Sequence, residues 1–228
     1  MKKLFFLAAA MCAAVSMNAQ RIAFTEVVEK ASFGAERTFT AGSVTLVADN
    51  SKDPSNKMAI DANNAYFGTT MEDAWKGEYR LKTGGKSQTG NGLTLTVPAK
   101  GVVKVYARTG SNSATDRNIV LTQNDTEILN VILLESNAVE VEDGVDESGA
   151  PTTTKIYPIY TANVVAGDIV ITYPINGVNI YALEFVADGG TGVENAFVAP
   201  KATKMMVDGQ MIIVRDGVKY NALGTVVE

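Results

Sequence analysis

The chain has 228 residues, 20 basic and 25 acidic, with no histidine, one cysteine and 46% hydrophobic residues. The missing histidine and the single Cys12 remove the side chains most used for nucleophilic, general-base and zinc chemistry near neutral pH. The acidic balance argues against a nucleic-acid partner, so composition favours a binding or structural protein over an enzyme.

Residues 1–19 read as a secretory signal peptide. Lys2 and Lys3 form the charged start, and Leu4 to Val15 is an apolar stretch too short to span a bilayer. Ala19 is the expected last residue of the leader and Gln20 the first of the mature chain. Losing the leader removes Cys12 and leaves 18 basic residues against 25 acidic ones, a net charge of −7. No disulfide then supports the fold, and an apolar core must supply the stability. No later stretch is long and apolar enough to be a transmembrane segment. The expected location is outside the cytoplasm: secreted, on the outer-membrane surface, or periplasmic.

Residues 20–188 read as one all-β domain. Leu93, Leu95 and Val97 alternate with Thr94 and Thr96. Val103, Val105 and Ala107 alternate with Lys104, Tyr106 and Arg108. Ile169 and Ile171 alternate with Val170 and Thr172, and Tyr181, Leu183 and Phe185 alternate with Ile180, Ala182 and Glu184. This period of two marks strands with one buried face. Gly84-Gly85, Gly90-Asn91-Gly92, Pro98 to Gly101, Gly110 to Ser113 and Asn176-Gly177 punctuate the runs with turn chemistry. No segment shows a capped helical period. Asp49 to Asn56 and Asp143 to Thr154 read as loops. Many short strands at close spacing predict a two-sheet β-sandwich of jelly-roll type. Residues 189–194 are glycine-rich and read as a linker. Residues 195–228 form a tail in which Met211 to Val214 and Val218 to Asn221 flank Asp216-Gly217, a hairpin signal.

Two segments resemble known proteins. Tyr79 to Gly85, Gly101 to Arg108, Asp116-Arg117 and Gly177 to Leu183, in this order, resemble the jelly-roll, carbohydrate-binding-like modules of secreted Bacteroidetes proteins, including those attached to pectate lyases. The tail from Asp208 to Gly224 resembles short C-terminal segments of secreted proteins of the same bacteria, some of which are sorting signals for type IX secretion. The resemblance implies a polysaccharide or oligosaccharide partner for the sandwich, and the secretion machinery as a partner for the tail. A hairpin that only completes a sheet is the alternative for the tail.

Strand alternation suggests where a ligand would sit. With Leu81 and Val105 inward, Arg80, Lys82, Tyr106 and Arg108 point outward, and Arg117 follows on the next strand. Guanidinium groups hold carboxylates with two-pronged hydrogen bonds, so such a face suits uronate sugars. A solvated face with ion pairs to Glu78 or Asp116 is the alternative. Trp75, the one tryptophan, lies among polar neighbours and joins Tyr106 as a stacking candidate. The expected ligand residues are therefore Trp75, Arg80, Lys82, Tyr106, Arg108 and Arg117. No cofactor is expected. Structural calcium is the one ion considered, at Asp49-Asn50 with Asp53, at Asp61 with Asn63, or in the acidic run Glu140 to Glu147. No pair of acids stands out as catalytic, and no phosphate, dinucleotide or nucleophile-elbow motif is present. Two functions remain: a non-catalytic carbohydrate-binding module for acidic glycans, or a structural or adhesive surface protein whose sandwich is a spacer or assembly unit.

Overall fold

The structure is a computed structural model that describes residues 19–52 and 58–188, and the backbone of four further strands near the C-terminus. The signal-peptide and linker expectations fall outside the described residues, as does Asp53. In chain order the first elements are β1 (Gln20–Ala23), a one-turn helix α1 (Lys30–Phe33), β2 (Glu36–Ala41), β3 (Val44–Asp49), β4 (Ala59–Phe67) and β5 (Trp75–Lys82). Next come β6 (Gly92–Val97), β7 (Gly101–Thr109), β8 (Asn118–Gln123) and β9 (Thr126–Ile132). The last of the sandwich are β10 (Val139–Val145), β11 (Pro151–Tyr157), β12 (Tyr160–Val164), β13 (Gly167–Thr172) and β14 (Val178–Ala187).

These strands form the expected two-sheet β-sandwich. The eight-stranded sheet runs β10-β11-β4-β5-β14-β7-β12, with β1 also paired to β14; the six-stranded sheet runs β2-β3-β6-β13-β8-β9. The chain crosses between sheets repeatedly, as a jelly roll does. Separately, Thr203–Val207, Gln210–Arg215, Val218–Asn221 and Val226–Val227 form a four-stranded antiparallel sheet in a second compact unit.

The alternating residues meet between the sheets. Leu93, Leu95, Val103, Val105, Ile169, Ile171, Leu183 and Phe185 are all buried in one main core. Burial of apolar side chains at about 25 cal/mol per Å² is the main driving term for a chain held by no disulfide. On β14 the alternation slips. A bulge lies between Ile180 and Ala182, so Ile180 joins Leu183 and Phe185 in the main core while Tyr181 and Ala182 pack in a second cluster. A bulge places two residues opposite one and shifts the phase of the faces, which strict alternation could not anticipate.

Two other expectations change. The segment from Asp143 to Thr154 is not an open loop; most of it belongs to the antiparallel hairpin β10–β11. Its acids face water, and its turn is held by Asp146, whose carboxylate accepts from the Ser148 and Ala150 amides at 2.8 and 2.9 Å. The β-branched Thr152 to Thr154 suit a strand without needing a buried face. The helix at Lys30–Phe33 is a single turn, too short to leave a periodic signal.

The second cluster lies across β7 from the main core, because Tyr106 belongs to it while Val105 and Ala107 do not. Phe67 is its hub, with ring centroids 5.1 Å from Tyr181, 5.8 Å from Tyr106, 5.8 Å from Tyr157 and 6.2 Å from Trp75. Arg21 of β1 closes the cluster. Its guanidinium sits 4.9 Å from the Trp75 ring and 5.0 Å from the Tyr106 ring, and is paired with Glu184. Glu184 is 3% exposed; it also accepts from the Tyr106 hydroxyl at 3.1 Å and lies 3.3 Å from Lys104 Nζ.

Removing one partner of a buried pair costs about 3–5 kcal/mol when the other charge is left alone, and here Lys104, 3.3 Å from Glu184, compensates part of it. Arg21 is 32% exposed, so water offsets part of that. We therefore expect Arg21→Ala to lower unfolding free energy by roughly 2–3 kcal/mol in urea denaturation, and a loss below about 0.5 kcal/mol, the size of an exposed pair, would contradict the clamp.

Candidate functional site

The six expected ligand residues do not form one surface. Arg80 and Lys82 stand on β5, and Arg108 stands on β7, both strands flanking β14. Lys82 and Arg108 are brought into one row through their common register partner Asn179. Arg80 and Lys82 share Asp61 of β4, with Arg80 Nε 2.8 Å and Lys82 Nζ 3.2 Å from its carboxylate. The expected alternatives were different acids, but Glu78 lies 3.5 Å from Lys76 instead. Burial pushes the Asp61 carboxyl up, while hydrogen bonds and charge from Arg80 and Lys82 outweigh it and hold the group below its ordinary value of 3.8.

Arg108 donates from Nη1 to the Tyr157 hydroxyl at 2.7 Å, and that hydroxyl donates to Glu135 at 2.9 Å. Burial, helped by the Glu135 carboxylate and opposed by the Arg108 charge, leaves the Tyr157 phenol raised to about 12. Tyr106 does not offer a stacking face: it is 2% exposed, and its phenol is raised to about 12 by burial and the Glu184 charge. Trp75 is half-buried, packed edge-on against Tyr106 with centroids 5.1 Å apart and covered by Arg21. The physical reason is the same for both rings. The outward face of the eight-stranded sheet here is a second apolar core rather than a solvated surface. Among the described residues, every aromatic side chain is buried or half-buried.

Two of the six converge elsewhere. Lys82 and Arg117 line a cavity of about 200 Å³ at one end of β5 and β14, together with Lys30, the Thr83-Gly84-Gly85 turn, Gly110 and the Asn176 to Asn179 turn. No acidic residue lines it. Lys30 and Lys82 continue into a neighbouring cavity of about 510 Å³, which Asp61 and Glu29 also border. Arg117 Nη1 donates to the Gly177 carbonyl at 2.7 Å. Thr83 ties the two turns: its hydroxyl accepts from the Val178 amide at 3.0 Å. Glycine is required at the walls. A Cβ on Gly110 would lie 2.5 Å from Arg117 Nη1, and one on Gly177 would lie 2.9 Å from the Gly85 amide nitrogen. Gly84 and Gly85 have positive φ, 70° and 138°, a conformation that glycine adopts at little cost.

Three of the four motifs quoted above for their resemblance contribute residues to this cavity, and Gly101 to Arg108 does not. Sequence reasoning placed Lys82 and Arg117 among the candidates but missed Lys30, which sits on the one-turn helix. It also missed Arg21 and Glu184, whose pairing needs β1 beside β14, a contact across most of the chain. The calcium candidates are engaged in other ways: Asp49 accepts from the Ser51 amide at 2.9 Å, and Asp61 is bound to its two cations. Among the described residues, no three His, Cys, Asp or Glu residues are grouped to hold a metal ion.

No protein-family model and no curated protein matches the chain. Among solved structures, one described in work on glycan recognition in the Ruminococcus flavefaciens cellulosome is 16% identical, with a TM-score of 0.28, and the match covers 60% of this chain and 86% of that one. The K2 cleaved adhesin domain of Lys-gingipain is 11% identical, with a TM-score of 0.35, covering 71% of this chain and 97% of that one.

Because Asp61 is held below its ordinary value, the folded protein binds that proton less readily than the unfolded chain. The resulting stability is present above the ordinary carboxylate range and is lost as pH falls through the lowered value. Wild type should accordingly melt higher than Asp61→Asn at pH 7, with the gap narrowing by pH 2.5; a gap unchanged across that range would contradict the pairing.

Proposed function

We propose that the sandwich is a non-catalytic binding domain of an exported protein, and that the cavity between the Gly84-Gly85 and Asn176-Gly177 turns receives an acidic group of a glycan. The observation that carries this reading is the lining itself: Lys30, Lys82 and Arg117 around glycine backbone, with no carboxylate among the lining residues. Arginine and lysine recognise carboxylates by charge-assisted hydrogen bonds, and a rigid sheet end holds them in place at little entropic cost on binding. That chemistry supports acidic glycans as the ligand class, uronate polymers among them. Trp75 and Tyr106 take no part in stacking on this reading. The resemblance to modules attached to pectate lyases agrees with a uronate ligand and belongs to the same proposal.

A second reading is favoured by one observation. Most of the cations first expected to bind are already occupied, Arg80 and Lys82 by Asp61 and Arg108 by Tyr157, and no described aromatic is fully exposed. A structural or adhesive surface protein would look the same. In that case the sandwich serves as a spacer or assembly unit, and the tail is its docking or sorting segment.

Retention on immobilised polygalacturonate separates the two. Wild type is expected to be retained there and to pass through fully methyl-esterified pectin, which lacks the charge. Lys30→Ala with Lys82→Ala, both at exposed side chains, should weaken binding by roughly tenfold, equivalent to about 1.4 kcal/mol. No retention of wild type, or equal retention of the double variant, would overturn the acidic-glycan reading.

A further inference from the structure

The two cavities at the cationic end share a wall and differ in charge. The smaller, of about 200 Å³, is lined by Lys30, Lys82 and Arg117 and by no carboxylate. The larger, of about 510 Å³, keeps Lys30 and Lys82 but adds Glu29 and Asp61. Formal side-chain charge therefore falls from +3 to 0 across the shared lysines, three cations against no acid and then two against two. Lys82 is moreover already paired with Asp61, its Nζ 3.2 Å from that carboxylate.

The rest of the larger cavity is apolar. Val27, Val28, Ala31, Ala59 and Ile60 complete its lining, and Val27 is 51% exposed. A two-way backbone bridge fixes this wall: the Val28 amide donates to the Ile60 carbonyl and the Ile60 amide to the Val28 carbonyl, both at 2.9 Å. Glu29 stands at the N-cap of α1 but makes no capping bond with its side chain, so its carboxylate is not spent on the helix end.

These walls treat neighbouring sugars differently. A carboxylate in the smaller cavity meets cations alone. A second carboxylate, on the next sugar of the chain, would meet Glu29 and Asp61 in the larger one, and juxtaposed like charges reject a partner. An acetamido group meets neither objection. It carries no charge, its N–H can donate to a carboxylate, and its methyl gains by leaving water for Val27 and Ala31.

We propose that the paired cavities read a two-sugar repeat, a uronate in the smaller beside an N-acetylated hexosamine in the larger, so that the preferred ligand is an alternating polymer. This inference rests on the acidic-glycan reading and narrows it. A run of uronates is still retained, through one carboxylate at a time.

Isothermal titration calorimetry with hexasaccharides of hyaluronan, polygalacturonate and chitin tests it, these being alternating, all-uronate and all-N-acetylglucosamine chains. Wild type should bind the hyaluronan hexamer about tenfold more tightly than either of the others, even though the galacturonate hexamer carries a carboxylate on every sugar. Glu29→Lys, at an exposed side chain, should bring the two acidic hexamers to within about twofold of each other or invert their order. Val27→Asp, which puts a carboxylate on the apolar wall, should weaken hyaluronan binding by about fivefold. Equal or tighter binding of the galacturonate hexamer by wild type, or a preference that neither variant moves, would overturn the repeat and leave the acidic-glycan reading standing. Binding of neither acidic hexamer, or a chitin hexamer bound as tightly as hyaluronan, would overturn both.

Discussion

The arrangement turns on one buried ion pair. Arg21 and Glu184 join β1 to β14, the most buried of the described strands of the sandwich, and they do so among aromatic rings. A charge pair removed from water is stable only when its remaining donors and acceptors are met. Here Tyr106 supplies a hydroxyl to Glu184 and accepts from Arg21 at 3.1 Å, while Lys104 approaches the other carboxylate oxygen. That geometry seals Tyr106 and lays Arg21 over Trp75, and it turns part of an outward sheet face into a second core. What the pair does not consume is the glycine-walled end with its cations.

On the acidic-glycan proposal charge does the selecting at the cavity, so binding there should weaken with salt and depend on the ligand's carboxylates.

Much of the fold was legible because the alternation is long and regular. Leu93 to Val97, Val103 to Ala107 and Ile169 to Ile171 each point where a period of two puts them. The legible part stops where a local irregularity or a distant partner decides the outcome. The bulge at Ile180 to Ala182 reverses the phase of Tyr181. The acidic run near Asp143 hides a hairpin, because its strand face is not buried and so leaves no apolar pattern. In the site, Lys82 and Arg117 could be picked out from face and neighbourhood. That Arg80 would meet Asp61, and that Tyr106 would be sealed by Arg21, depends on pairings between strands far apart in sequence.

The central claim is that the ligand meets the glycine-walled cavity and leaves the aromatic cluster untouched. Amide and indole NMR shifts of the labelled protein, titrated with a galacturonate oligomer, test it directly, because the chain has one tryptophan and hence one indole signal. The account predicts saturable shifts at the amides of Gly84, Gly85 and Gly177, with the Trp75 indole unmoved. Saturable movement of the Trp75 indole with those glycine amides unchanged would contradict it.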